Sequence, residues 1–409
     1  MNTEPTAKVR PILEKVKTYI ENAIIPVEQE YHQEIGNGNR WQQSPRQKEI
    51  LDELKQGARD QGLWNFFLTE GKNSSGLSTV DYAFIAELTG HSALAAEVFN
   101  CSAPDTGNME VLAKYGSAEQ KKRWLEPLLR GEIRSAYAMT EPDVASSDAT
   151  NISMSAVLKD GEWIINGEKI WISGAGDERC KLLICMVKTD PTAARHQQHS
   201  QILVPMDAAG VEILRPMQVF SRDDAPHGHM HLRLTDVKVP EDAIILGPGR
   251  GFEIAQGRLG PGRIHHVMRA IGMAEKALDL MCKRSVSRTA FGKPLAKLGG
   301  NYDRIAEARI NIDMARLLTL QTAHVIDTEG VAAAQVWISK IKATVPLMTL
   351  KIIDDAMQMH GGVGLSQDFP LAEMYMNART LRLADGPDEV HRMVVARSEL
   401  KPYIKRTSS

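Results

Sequence analysis

Cysteine is scarce in this chain and is never paired in the way metal sites pair it. Cys101, Cys180, Cys185 and Cys282 are scattered over 409 positions without a CxxC, which argues against a zinc knuckle or a disulfide framework. Reduced thiols in a cytoplasmic compartment are the simpler expectation. An excess of one charge is also lacking. The net charge is −2, without the basic balance of a nucleic-acid binder. No apolar run approaches the ~20 residues of a membrane span. The opening MNTEPTAKVRPILEKVK mixes acids with bases and has no apolar core, so no secretory or transit peptide is expected.

Nucleotide-binding motifs are missing as well. There is no GxxxxGK[ST], and the glycine-rich HGGVG at 360–364 follows a helical run rather than a strand. Without βαβ alternation around it, a Rossmann reading fails. A helix C-cap, or a tight loop whose bare backbone admits a ligand, remains. HGHMH places His227, His229 and His231 at alternate positions, which in a strand share one face and suggest a metal. No cysteine or carboxylate of suitable spacing completes the set, so polar residues on an exposed strand face are expected. His265 and His266 in RIHHVMR are adjacent and point to different helix faces, so a structural role is expected and no metal.

What is present is a globular composition, 43% hydrophobic, on a chain long enough for two or three domains. Residues 1–134 read as helices. Ser78 with Asp81, and Ser117 with Gln120, have the spacing at which side chains satisfy the first amides of a helix. Residues 135–245 read as a small antiparallel β domain. Asp160-Gly161 and Asn166-Gly167 are hairpin-turn pairs, and KLLICMVKTD, SQILVPM, GVEILRPM and GHMHLRLTDVKVP read as further strands ending near Pro240. Residues 246–409 return to helix. Ile305, Ala308, Ile312 and Ala315 recur at helical spacing. VAAAQVWISKIKATVPLMTLKIIDDAMQMH is apolar over much of its surface, which predicts a bundle that also packs against other subunits, with Pro346 as a bend. The class is α+β: helical, then β, then a helical bundle.

RLADGPDEVHR, residues 382–392, poses the main question. Asp385-Gly386-Pro387 is ordinary turn material, and Asp388 and Glu389 suit the start of a following helix. On local grounds a turn is favoured over chemistry. Residues 135–152, SAYAMTEPDVASSDATNI, are dense in hydroxyls and small side chains, and suit either a polar ligand or solvent.

Together several stretches resemble the acyl-CoA dehydrogenase family. YAMTEPDVASSD is similar to its signature, KIWIS to its Trp-Ile-Thr/Ser stretch, SRTAFGKPL to its Arg-x-x-Phe-Gly segment, and QMHGGVG to its Gln-x-x-Gly-Gly element. LADGPDEVHR falls where the family carries its catalytic carboxylate. The closest flavour is the subgroup fused in animals to a kinase-like domain. The resemblance implies an FAD enzyme with a helical N-terminal domain, a β middle domain and a C-terminal helical bundle. It implies Tyr137, Met139 and Thr140 against the flavin ring, and Trp171 and Ser173 over its other side and N5. Arg288, Phe291, Gln358, Gly361 and Gly362 would reach FAD across a subunit boundary, and Glu389 would meet the cofactor near the active acid. Ser147, Arg263 and Arg397 match positions that touch CoA, Ser147 also standing with the cofactor set and Gly386 with the substrate set.

The resemblance makes Asp385 the base that takes the α-proton of an acyl-CoA thioester while a hydride leaves Cβ for flavin N5, giving the trans-2-enoyl-CoA. Three departures stand out: the signature is one residue longer, Gly386-Pro387-Asp388 replaces Gly-Thr-Ser, and aspartate replaces glutamate. The shorter base must be accommodated by a shift of about an ångström. The stretch around Gly260, Pro261 and Gly262, where some members place the base, has no carboxylate. An electron-transfer flavoprotein is the implied acceptor, and a homo-oligomer (dimer or tetramer) the implied assembly. A nitroalkane-oxidase-like flavin oxidase and a non-catalytic acyl-CoA-binding member of the fold are the alternatives.

Overall fold

The computed structural model describes residues 4–36, 38–69, 71 and 73–407, and among these not the side chains of 259–261 and 405–407. Met1–Thr3 of the N-terminal reading and the side chain of Pro261 therefore lie outside the described residues. The chain divides into two compact units. One comprises Ile25–Ser75 and Glu97–Gly262, the other Met1–Ile24, Gly76–Ala96 and Arg263–Ser409.

The first unit is organised on a seven-stranded sheet. Its strands are β1 (Arg134–Ala138), β2 (Ser155–Lys159), β3 (Glu162–Ser173), β4 (Cys180–Lys188), β5 (His199–Pro205), β6 (Val211–Pro216) and β7 (His229–Pro240). The order is β1-β4-β2-β3-β7-β6, with β5 also paired to β4. Pairing is antiparallel for β2–β3, β3–β7, β6–β7 and β4–β5, whereas β1 and the first residue of β2 join β4 in parallel. Trp163, Ile165, Ile172, Leu183, Val187 and Ile202 lie in one buried core, each worth about 1.5–3 kcal/mol of apolar burial.

The β2–β3 hairpin turns at Asp160-Gly161, where φ is +53° and +78°, the left-handed pair a two-residue turn requires. Asn166-Gly167, expected as a second turn, is not one. β3 continues through it and stays paired with β7, with a register shift there. Asn166 Nδ2 donates to Asp236 Oδ1 at 3.0 Å, and the Asp236 amide donates back to Asn166 Oδ1 at 2.8 Å. Gly167, at φ +146°, lets Met154 pass so closely that a Cβ would meet its Cα at 3.1 Å. Ladder partners on both sides outweigh the local turn preference, and the pair makes a bulge.

β1 starts from a buried charge cluster. Arg134 meets Glu97 at 2.6 Å and Asp105 at 2.7 Å, while Glu97 also pairs with Arg179 at 2.6 Å and Lys55 at 2.9 Å. The expected capping box at Ser117 and Gln120 is present with both of its hydrogen bonds.

The second unit is helical. Ser78 accepts from the Asp81 amide and caps the Thr79–Thr89 helix. Gln335–His360 runs on through Pro346 and packs against Asn301–Glu329, Leu371–Thr380 and Asp388–Thr407, which accounts for its apolar surface. Ala308, Ile312 and Ala315 are buried along Asn301–Glu329 as their spacing predicts. Among the described residues no helix is long and apolar enough to cross a membrane.

The Thr79–Thr89 helix and the Gly251–Ser287 helix touch backbone to backbone through two glycines. A Cβ on Gly272 would strike the Glu87 carbonyl and sit 3.0 Å from Gly90 Cα, and a Cβ on Gly90 would strike the Arg269 carbonyl. Neither obstacle is a side chain that can swing away. Gly272→Ala is therefore expected to destabilise by about 1–3 kcal/mol through overpacking, read as a lower midpoint in urea. An unchanged midpoint would show that the crossing loosens without cost.

Candidate functional site

In the β unit the candidate ligand surface is an exposed strap on a buried ion pair. Tyr137, the penultimate residue of β1, has the Arg258 guanidinium 4.0 Å from its ring centroid, and its hydroxyl accepts from Gln201 Nε2 at 2.9 Å. Beyond β1, Met139 is half-buried and Thr140 exposed. Both are held from behind by β3: Lys169 Nζ donates to the Met139 carbonyl at 3.0 Å, and the Ile170 amide donates to the Thr140 carbonyl at 2.8 Å. Lys169 has no exposure and also donates to Glu141 Oε1 at 2.8 Å and the Met186 carbonyl at 2.7 Å. Glu141 accepts further from the Ser153 amide and hydroxyl and the Met154 amide. Burial alone would raise the Glu141 pKa, but the Lys169 ammonium and these donors outweigh it and hold the carboxyl below its usual range. Ser147 is exposed on the loop between β1 and β2.

β3 ends in a second irregularity. Its register with β7 shifts between Lys169 and Ile172, Ile172 stays in the core, and Trp171 is 42% exposed with φ +60°. A bulky side chain is costly in that conformation and marks a place where function is worth looking for. Ser173 lies opposite His229 on β7, with Oγ 2.8 Å from Nδ1, and His229 Nε2 is 3.6 Å from Asp224 Oδ2. His231 instead takes Glu168, at 2.7 Å. His227 precedes β7, and burial pushes its pKa down to about 3. His227 and His229 meet ring edge to ring face while His231 turns to Glu168, and among the described residues no cluster suits a metal ion.

In the helical unit Asp385 sits in a fastened turn. Its φ is +55° and that of Gly386 is +101°. Its carbonyl accepts from Arg263 Nε at 3.2 Å and Nη2 at 3.0 Å, with His391 Nε2 at 3.2 Å. Burial, aided by Arg263 and Lys342, pushes the His391 pKa down to about 4. The neutral ring then donates from Nε2 to this carbonyl and accepts from Ser339 Oγ through Nδ1, 3.3 Å away. Lys342, buried, donates to the Leu381 carbonyl. Burial pushes its ammonium down to about 8, against the pull of the Asp385 carboxylate. Asp388 closes the turn: its amide donates to the Arg382 carbonyl at 3.2 Å and its carboxylate accepts from Arg382 Nε at 2.7 Å.

The Asp385 side chain is about one-fifth exposed, with Oδ2 3.4 Å from His266 Nε2. Arg269 Nη2 stands 3.4 Å from the other ring nitrogen. Guanidinium only donates, so the His266 proton faces the carboxylate. His266, expected to be structural, is therefore part of this cluster, while His265 is buried and packs edge-on against Tyr82.

The remaining candidates of this unit are surface residues. Arg288 is exposed just past the Gly251–Ser287 helix, and Phe291, 96% exposed with φ +47°, tips the hairpin of β8 (Thr289–Ala290) and β9 (Lys293–Pro294). Gln358, Gly361 and Gly362 are exposed at the end of Gln335–His360, and a Cβ on either glycine would meet nothing within 4 Å. The Gly361 amide closes the helix as a C-cap. Arg284 Nη2 donates to the His360 carbonyl at 3.2 Å, tying the two segments together. A cation, a bare aromatic ring and an open glycine backbone fit a phosphate-linked aromatic cofactor. Glu389 and Arg397 are exposed on the Asp388–Thr407 helix.

Sequence reasoning gave no role to Lys169, Glu141, Arg258, Lys342 or His391. A lysine inside an otherwise strand-like apolar run was the available signal for Lys169. Arg258 and Lys342 act on a ring and a carbonyl far away in sequence, and Glu141 and His391 on nearby main-chain groups that residue types alone do not reveal.

Comparison with known proteins covers the whole layout. Residues 6–132, 136–236 and 249–400 match the N-terminal, middle and C-terminal domains described for acyl-CoA dehydrogenases. Acyl-CoA dehydrogenase family member 10 of Mus musculus is 53% identical over 96% of this chain and 37% of its own length. Family member 11 of the same organism is 51% identical over 97% of this chain and 51% of its own length. The chain thus spans about half the length, or less, of these curated relatives. A solved structure from Mycobacterium abscessus, described as a candidate acyl-CoA dehydrogenase, is 51% identical and covers 98% of this chain and 100% of its own, with a TM-score of 0.94.

Proposed function

Because the chain belongs to the acyl-CoA dehydrogenase family, we propose that it oxidises the Cα–Cβ bond of an acyl-CoA thioester to the trans-2-enoyl-CoA, with FAD as its cofactor and Asp385 as α-proton acceptor. FAD, when bound, supplies the two-electron acceptor. In the β unit Tyr137, Met139, Thr140, Trp171 and Ser173 hold the flavin, and Thr140 offers it a hydroxyl. In the helical unit Arg288, Phe291, Gln358, Gly361 and Gly362 serve the FAD of a partner subunit, and Glu389 stands near the base. Ser147, Arg263, Gly386 and Arg397 serve the CoA thioester. An electron-transfer flavoprotein is the proposed acceptor.

One observation carries this reading: the turn at Asp385 is held by its main chain. Arg263 and His391 take the carbonyl, which fixes the backbone that carries the carboxylate. His266 sets its orientation from one side. The family resemblance assigns the backbone N–H of the base residue to the thioester oxygen as charge builds there.

Anaerobic titration of the yellow protein with saturated acyl-CoAs of graded length tests the reaction. Bleaching of the flavin band identifies activity and chain-length class together. A colourless protein that takes up no FAD overturns the reading, and turnover with oxygen to give peroxide points to the oxidase alternative. His266→Leu is expected to lower the bleaching rate by about 10- to 100-fold through misplacement of the carboxylate, with FAD content unchanged. A rate within twofold of the parent would remove His266 from the cluster.

A further inference from the structure

The contact between Ser173 and His229 has a polarity that can be read from the surrounding atoms. Ser173 Oγ is 2.8 Å from His229 Nδ1. A hydroxyl can give or take a hydrogen bond, so this distance alone is silent on direction. The second ring nitrogen decides it. His229 Nε2 is 3.6 Å from Asp224 Oδ2, too long for a full hydrogen bond but close enough for the carboxylate to favour the tautomer with its proton on that nitrogen. Burial lowers the His229 pKa, which keeps the ring neutral and leaves it one donor and one acceptor. Nδ1 is then the acceptor, and the Ser173 hydroxyl spends its hydrogen on the histidine.

The consequence falls on the other side of the Ser173 oxygen. Only lone pairs remain there, so it welcomes an N–H and disfavours a bare nitrogen. Ser173 ends the same bulged stretch that exposes Trp171. His227, whose ring is perpendicular to His229 with centroids 6.2 Å apart, is kept neutral by burial and adds no charge.

We propose that Asp224 and His229 fix Ser173 as a hydrogen-bond acceptor toward the cofactor and thereby raise the midpoint potential of bound FAD. This rests on the reading that places Ser173 over flavin N5, the position that carries a hydrogen in the reduced cofactor and none in the oxidised one. Asp224 and His229 are positioning residues, acting through Ser173.

The test is the midpoint potential of the FAD-loaded protein, measured by equilibration with a reference dye. His229→Phe frees the Ser173 hydrogen for the oxidised flavin, and the potential is expected to fall by the equivalent of about tenfold in the oxidised-to-reduced ratio, ~30 mV for a two-electron couple. Asp224→Asn, on a side chain 41% exposed, removes the tautomer preference and is expected to shift it the same way by less. On a Ser173→Ala background His229→Phe is expected to give no further shift, because the two changes share one interaction. A potential unmoved by either single variant, or an equal His229→Phe shift with and without Ser173, overturns the inference. If His229→Phe does not retain flavin, Asp224→Asn decides by the same criterion. Parent protein that binds no FAD overturns the proposed function itself, a result distinct from loaded protein whose potential stays put.

Discussion

Asp385→Asn is expected to slow acyl-CoA-dependent flavin bleaching by about 10²–10⁴-fold, the range general base catalysis contributes, while leaving FAD content and melting temperature close to those of the parent. The substitution exchanges the basic oxygen for an amide nitrogen and leaves the main-chain bonds of the turn in place. Asparagine tolerates the left-handed backbone at φ +55° about as well as aspartate, and the hydrogen bonds that fasten the turn end on its carbonyl. Single-turnover bleaching under anaerobic conditions measures the rate, and the flavin-to-protein absorbance ratio checks loading. If the asparagine variant bleaches within tenfold of the parent, Asp385 is a turn residue only and the base lies elsewhere. Asp385→Glu makes a useful companion. Its side chain regains the missing methylene but is less at ease in this backbone region, so an intermediate rate is expected.

The second large effect lies in the β unit. Lys169→Met leaves the Glu141 carboxylate buried without its ammonium and the Met139 carbonyl without its donor. Breaking a buried ion pair by removing one partner costs about 3–5 kcal/mol, so a fall in the urea midpoint is expected together with weaker retention of FAD by the strap at Met139 and Thr140. The pH dependence of the parent should show the same pair. The Glu141 carboxyl is held below the usual carboxylate range by the Lys169 ammonium and its other donors, against the effect of burial. Its stabilising contribution is therefore complete above about pH 4.5 and is lost as pH falls through the folded-state value. In Lys169→Met that acid-side loss should shrink. A variant as stable as the parent, with full flavin, would mean that Glu141 protonates or rehydrates without disturbing the strap.

Much of the layout was legible because it is local. Asp160-Gly161 specified its turn, Ser117 and Gln120 their capping box, and the apolar runs of β4 and β5 and the alternation in β7 their strands. Asn166-Gly167 carried the same local signal and misled, because β2 and β7 pair on either side of it and the ladder settled the geometry. Around Asp385 the difficulty was of another kind. The turn and the acid were visible, but Arg263 and Lys342 reach the loop from other helices, and His391 from the helix that follows it, through carbonyl contacts that leave no trace in residue spacing. His266 looked like half of an uninformative His-His pair. Only the helix phase separates it, facing Asp385, from His265, facing Tyr82. Trp171 stands in a motif stretch, yet its φ of +60° has no signal in a β-favouring neighbourhood.

The fastening of residues 381–388 through Leu381, Asp385 and Asp388 main-chain atoms means that the loop behaves as a socket rather than as a fitted part. A side chain that tolerates the left-handed backbone at φ +55° inherits the same aim without having to maintain the mount. Within that limit a lineage, or an engineer, can exchange the head group there on an unchanged chassis.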